Sequence, residues 1–153
     1  MTPGIWQELV KKMPEDLAQL KSSKLLSREE LTEIPEKGIY VLYEENKPMY
    51  VGRSDHLKTR IQTHSRPSSG HGQSSLAFNL AREEASKQGI RKDIERSKLE
   101  KDPRFDKMFA KAKQRIARMG VKCVAIDDPI EQTLFEVYAH LKLDTPYNDF
   151  RTH

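Results

Sequence analysis

The chemistry legible in this 153-residue sequence is concentrated in two tyrosines, an arginine and a histidine between residues 40 and 64. Tyr40 and Tyr50 flank a polar stretch, Glu44-Glu45-Asn46-Lys47-Pro48, short enough to keep the two sides adjacent. Arg60 and His64 are spaced i, i+4, which a helix places on one face. A guanidinium suits a phosphate, because its forked donors match two oxygens at once. An imidazole titrates near neutrality and can take or give a proton. A phenol, with an ordinary pKa near 10, orients a water readily but needs an adjacent cation to deprotonate one at neutral pH. Taken singly, each residue has an ordinary explanation: tyrosine favours strands, and a helical Arg or His is commonly a surface group. His56, His71, His140 and His153 lack ligand-like spacing, and the single Cys123, in an apolar run, reads as a packing residue.

The elements that must hold these groups follow from periodicity. Gly38-Ile39-Tyr40-Val41-Leu42-Tyr43 and Met49-Tyr50-Val51-Gly52 are β-branched and aromatic, and around their five-residue polar connection they predict a hairpin. Glycines at 38 and 52 mark points where backbone turns or is closely approached. Ser54 caps a helix carrying Leu57 and Ile61. Ser65 to Ser75 is rich in Gly, Ser and Pro with nothing to bury, which predicts a mobile loop. Helices are expected over Leu76–Lys87 and along the stripe Phe105, Met108, Phe109, Ala112, Ile116 and Met119. A strand over Val121–Ile126 and a last helix opened by Asp127-Asp128-Pro129 follow, the latter with Leu134, Tyr138 and Leu141 on its buried side. Ahead of the hairpin, Trp6, Leu9, Val10 and Met13 form an amphipathic stripe ending at Pro14, a second short helix carries Leu17 and Leu20, and Ser27 to Glu30 is a capping box. The expected architecture is α/β of the α+β kind: a small, mainly antiparallel three-stranded sheet flanked by helices. A helical extension over 1–34 precedes a domain over 35–153 with a charged helical insert at about 65–120.

Composition narrows the function classes. The chain has 27 Lys+Arg against 23 Asp+Glu, and no run approaches the roughly 20 apolar residues of a spanning helix. The N-terminus lacks the basic, apolar, small-residue plan of a secretory signal, and one cysteine excludes an internal disulfide framework; a cytoplasmic protein without a membrane partner is expected. From Arg91 to Gly120 there are 11 Lys/Arg and 5 Asp/Glu, a net of +6 against +4 for the whole chain. On charge alone this is a solvated helical face.

The combination in residues 38–60 is more specific. Gly38-Ile39-Tyr40, nine residues, Tyr50-Val51-Gly52 and then Arg60, eight residues beyond that glycine, resembles the GIY-YIG nuclease superfamily. The motif resemblance covers about 38–64 and 121–150 and leaves 1–34 and 65–120 unexplained. It implies hydrolysis of phosphodiester bonds with one divalent ion, Mg²⁺ or Mn²⁺, and no small-molecule cofactor. Tyr40, helped by Tyr50, would orient and deprotonate the attacking water, and Arg60 would bind the scissile phosphate. His64 would move a proton in the manner of the family's restriction enzymes, and Gly52, Arg53, Lys58 and Arg66 would line the substrate path. The metal ligand is Glu136 or Glu131. Glu136 precedes Asn148 by twelve residues and meets the family spacing; Glu131, at seventeen, does not and is held in reserve. Against Glu136, it falls nearly opposite Leu134 on a helical wheel. Asn148 would position the chain end or touch phosphate. DNA is the expected partner, gripped by Arg53, Lys58, Arg66 and the cations of 91–118. A non-cleaving nucleic-acid-binding module and an RNase with the same site are the alternatives.

Overall fold

In a computed structural model of the chain, residues 4–90 and 94–150 are described. Residues 1–3, 91–93 and 151–153, which carry part of the N-terminal reading, part of the charge count and His153, lie outside the described residues. The chain forms two units, residues 1–60 with 119–153, and residues 61–118.

The first unit is built on a three-stranded antiparallel sheet of order β2-β1-β3, with β1 Gly38–Glu44, β2 Lys47–Ser54 and β3 Gly120–Ala125. Strand alternation gives β1 two distinct faces. Ile39, Val41 and Tyr43 join Val51, Val124 and Ile126 in the main core, where Met13 and Leu20 of helix α1 (Ile5–Ser22) and Phe135 and Ala139 of helix α6 (Pro129–Leu143) cover them. Tyr40 and Leu42 take the other face and are also fully buried. The sheet is thus α+β with helices against it, as the periodicity indicates.

The hairpin is tighter than expected. Both strands run into the polar stretch, leaving only Glu45 and Asn46 as a two-residue turn with φ of 52° and 66°. Paired positive φ is what lets a short turn follow the strands' right-handed twist, and asparagine tolerates it well. The register shifts between Leu42 and Tyr43, which removes Met49 from strict pairing.

The N-terminal helix corrects the reading at Pro14. One helix runs from Ile5 to Ser22 with Pro14 inside it. Leu9, Met13 and Leu20 are buried while Trp6 and Val10 are exposed, so the apolar stripe that matters continues through the proline. Pro14 itself faces solvent, and water can meet the Val10 carbonyl whose hydrogen bond proline removes. Beyond α1 the chain makes a 3-10 turn at Arg28–Glu33 capped by the Ser27/Glu30 box, after Leu26 has exchanged two backbone hydrogen bonds of 2.8 Å with Val121.

The last helix is rotated relative to the expected stripe. Its buried residues are Glu131, Gln132, Phe135 and Ala139, whereas Leu141 is 71% exposed and Leu134 and Tyr138 only border the core. The helix begins with Asp128 capping the Ile130 and Glu131 amides and stops at Asp144 in the left-handed region.

Helix α2 (Leu57–Ser65) begins in the first unit, and the second continues from it into α3 (Ser75–Lys87), α4 (Arg96–Glu100) and α5 (Pro103–Ala117). Phe105, Met108, Phe109, Ala112 and Ile116 form the buried stripe of α5, and Phe105 packs edge-on against Phe78 of α3 at 5.1 Å between ring centroids. The Gly/Ser loop is tethered, contrary to expectation. The buried Lys113 ammonium donates to the Pro67 and Ser69 carbonyls at 2.7 and 2.9 Å, and the Ser69 hydroxyl donates to the Thr63 carbonyl at 2.6 Å. His71 closes on Phe109 at 4.5 Å and pairs with Asp106 at 3.4 Å.

Between α1 and α6, Lys12 pairs with Glu131 at 3.4 Å and Asp16 shares a hydrogen bond with the same carboxylate. Burial first, then the Glu131 hydrogen bond and charge, push the Asp16 carboxyl up to about 7. A carboxyl held above its unfolded value favours the protonated fold, so its contribution is present at acid pH and is lost as pH rises through about 7. Thermal melts of Asp16→Asn should therefore lose less stability between pH 5 and pH 8 than the parent chain loses.

Candidate active site

The two tyrosines of the site lie on the sheet face opposite the main core. Tyr40 is on the central strand with Gly52 directly across from it and Tyr50 two residues along on the same side. The phenol of Tyr40 lies across the backbone of Gly52: a β-carbon built at residue 52 would overlap the Tyr40 ring carbons and hydroxyl. Glycine is therefore required by contact, not by backbone conformation. The two tyrosine rings are 6.3 Å apart and inclined at 42°. Gly38, at the start of β1, has its own constraint, since a β-carbon there would strike the Val124 carbonyl of β3.

Arg60 comes from the second turn of α2, whose start is fixed by the Leu57 amide donating to the Glu36 carbonyl at 2.9 Å and by the Ser54 hydroxyl accepting from the His56 amide at 2.9 Å. Its guanidinium hydrogen-bonds the Tyr40 hydroxyl. Burial raises the Tyr40 hydroxyl well above the usual phenol range, Tyr50 and the negative charge of Glu136 add to that rise, and Arg60 opposes it. Tyr40, Tyr50, Arg60 and Glu136 thus lie within electrostatic reach of one another. Burial also raises the Glu136 carboxyl, while Arg53 pulls it down.

The observed phase of α6 removes the objection to Glu136. With Gln132, Phe135 and Ala139 buried rather than Leu134 and Leu141, Glu136 borders the core and is half-buried. Glu131, in contrast, is engaged with Lys12 and Asp16 of α1. Asn148 is a clamp on β2: its side-chain carbonyl accepts from the Val51 amide at 2.9 Å and its amide donates to the Val51 carbonyl at 2.8 Å. Thr145 donates to the same Asn148 oxygen at 2.7 Å and itself meets His140 Nδ1 at 2.8 Å. Lys58 is exposed in the first turn of α2. His64 and Arg66 belong to the second unit, where the His64 side chain is fully buried and its carbonyl accepts from the Ser74 hydroxyl at 2.9 Å, and where Arg66 is exposed.

Two further residues bear on the elements that carry these groups. Gln132, fully buried on α6, donates to the Ile126 carbonyl at 2.6 Å and to Asp55 at 3.4 Å, joining α6 to the segment that enters α2. Its position three residues before Phe135 marks it once the phase of the helix is known. Arg28, from the 3-10 turn, lies close enough to Tyr40 and Cys123 for their charges to act on it. Nothing in the local sequence around Arg28 signals that placement. Burial raises the Cys123 thiol to about 12, consistent with an unreactive packing residue.

Among the described residues no three His, Cys, Asp or Glu side chains converge. One half-buried carboxylate with a raised pKa does fit a hard cation that keeps most of its water ligands, since such an ion needs few protein oxygens and offsets the burial of the charge.

The fold is a small α+β unit on a three-stranded antiparallel sheet. The chain belongs to the GIY-YIG family: the family model described as the GIY-YIG catalytic domain matches residues 36–116, more than half of its length. That match includes 65–116, which the motif comparison left unexplained, and ends before α6. No curated protein and no solved structure matches the chain.

The contact of Tyr40 with Gly52 has a measurable signature. Gly52→Ala should cost about 1–3 kcal/mol, as overpacking does. In a Tyr40→Ala background the same change should cost almost nothing, because the obstructing ring is gone. Urea melts of the two single variants and the double variant give the coupling directly; additive losses would contradict the contact.

Proposed function

We propose that this protein is a metal-dependent endonuclease that hydrolyses phosphodiester bonds in DNA. The supporting observation is the shared neighbourhood of Tyr40, Tyr50, Arg60 and Glu136, in which a buried phenol is hydrogen-bonded by a guanidinium and lies within range of the charge of a half-buried carboxylate. Uncatalysed phosphate-ester hydrolysis is extremely slow, so a site must orient a water and offset charge growing on the phosphate oxygens. In this reading the Arg60 guanidinium binds two of those oxygens, and its hydrogen bond holds the Tyr40 hydroxyl in a fixed direction. Once its own proton has gone to solvent, the Tyr40 phenolate oxygen accepts from the attacking water and takes its proton as the new P–O bond forms and the P–O bond to the departing oxygen breaks. Tyr50 packs beside the Tyr40 ring, and Asn148 fixes the edge strand carrying Tyr50 and Gly52. Glu136 is the residue that would hold Mg²⁺ or Mn²⁺, which when bound would supply positive charge to lower the Tyr40 pKa and to stabilise the departing oxygen. His64, fully buried, is assigned no step.

The test is cleavage of plasmid and of short DNA duplexes with Mg²⁺ or Mn²⁺. Tyr40→Phe, Arg60→Ala and Glu136→Gln should each lower the rate by at least about 100-fold, the scale of losing a positioned acid–base or charge-stabilising group. Because Tyr40 must lose its proton and its pKa lies above the ordinary value, the parent rate should rise with pH through the neutral range and beyond. Tyr40→Phe should flatten that rise. Variants that cut as well as the parent would refute these roles; binding without cutting would favour a non-cleaving module, and preference for RNA would favour an RNase.

A further inference from the structure

Among the cations of the second unit, two groups stand out that the sequence alone does not separate. Lys113 is buried and holds the Pro67 and Ser69 carbonyls. Arg96 bonds Glu100 and the His71 carbonyl and stacks over Phe78 at 4.1 Å. These two are structural. Arg104, Lys107, Lys111, Arg115 and Arg118 behave differently: their spacing of 3, 4, 4 and 3 residues makes one stripe along α5 and its C-cap. All five line a groove of about 460 Å³ between α5 and α3, floored by Leu80, Met108 and Ala112. Lys87 of α3 adds a sixth cation, and Glu83 and Glu84 are the acids on that wall. Arg104 is paired with Asp102 at 3.0 Å. Among the described residues Lys107, Lys111 and Arg118 make no ion pair.

A helix face that serves only solubility alternates its charges, because opposite signs at i, i+4 support the helix and like signs oppose it. The α5 stripe carries like charges at Lys107/Lys111 and Lys111/Arg115 with no acid interleaved on that stripe. The arrangement weakens the helix slightly and concentrates positive potential along one line. Fourteen residues at about 1.5 Å each give it a length of about 21 Å, enough to follow about six nucleotides at ~3.4 Å per step of one strand.

We infer that the α3–α5 groove is a phosphate-backbone binding track for DNA, contacted by Lys107, Lys111 and Arg118 and independent of base sequence. The inference takes its partner from the nuclease reading, but its test requires no cleavage. Binding of a fluorescein-labelled 20-base-pair duplex is followed by anisotropy in EDTA from 50 to 200 mM NaCl. Each phosphate contact contributes about 0.9 to the slope of log K against log salt. Lys107→Ala/Lys111→Ala/Arg118→Ala should therefore flatten the slope by about 2–3 and weaken binding about 10- to 100-fold at 0.1 M salt. Its Tm should equal or exceed the parent's, since like-charge neighbours are removed, which separates lost binding from lost folding. A charge-matched control, Lys11→Ala/Lys21→Ala/Lys47→Ala, should keep most of the parent slope.

An unchanged slope in the stripe variant, an equal change in the control, or no duplex binding by the parent would each overturn the inference. So would displacement of the duplex by poly-L-glutamate at equal charge concentration, which would assign the groove to an acidic polypeptide. Parent cleavage in Mg²⁺ is scored separately. A protein that binds through the stripe and never cuts sinks the nuclease reading alone, and one that cuts with an unaltered stripe variant sinks the track alone.

Discussion

Burial of β1 on both faces is the constraint on which the first unit depends. A central strand paired on each side and covered above and below cannot shift by one residue, because every side chain would then exchange faces. Ile39, Val41 and Tyr43 are committed to the helices α1 and α6, which leaves Tyr40 and Leu42 for the opposite face. The direction of the Tyr40 phenol is therefore fixed by the packing of its neighbours. Gly52 is the local counterpart of that rule, since the edge strand must present bare backbone where the ring crosses it. The site depends on rigid elements: strand, strand and two helices each contribute one side chain.

The electrostatics of the site follow from the same burial. A phenol removed from water is harder to ionise, and Tyr50 and Glu136 make it harder still. Arg60 is the described group that counters the trend by both charge and hydrogen bond. Arg53 performs the corresponding service for Glu136. The result is a set of groups whose protonation is poised by position, where added positive charge has a large effect because little water screens it.

Periodic features were legible in the sequence, and isolated polar contacts were not. The β-branched and aromatic run of residues 38–43, the tyrosine spacing and the apolar stripe of α5 report packing that repeats along the chain, and each appears in the structure. Pro14 misled because a proline's cost depends on whether the freed carbonyl meets water, which no local pattern records. The phase of α6 is not carried by apolarity: Leu134 and Leu141 are the more apolar residues, while Gln132 is buried through its hydrogen bonds to Ile126 and Asp55. The loop 65–75 appeared to have nothing to bury, yet Lys113, some forty residues onward, reaches back to its carbonyls. Arg28 near Tyr40 and the clamp of Asn148 on Val51 are likewise contacts between distant positions. For the candidate site, the tripeptides and Arg60 are legible directly, whereas what distinguishes Glu131 from Glu136 is a distant contact, the engagement of Glu131 by Lys12 and Asp16 of α1.

The clamp on Val51 also bears on how the sheet meets other molecules. A three-stranded sheet has two open edges, and an open edge is a template for another chain's backbone. On β2 the Asn148 side chain imitates a neighbouring peptide group, taking both the amide and the carbonyl of Val51, and the Tyr147 amide bonds the Met49 carbonyl at 3.3 Å. On β3 the paired bonds of Leu26 with Val121 do the same with true backbone. Part of each border is thus occupied from within by a short segment that is not a strand. Lateral growth of the sheet, whether into an aggregate or by capture of an extended peptide, would first have to displace them.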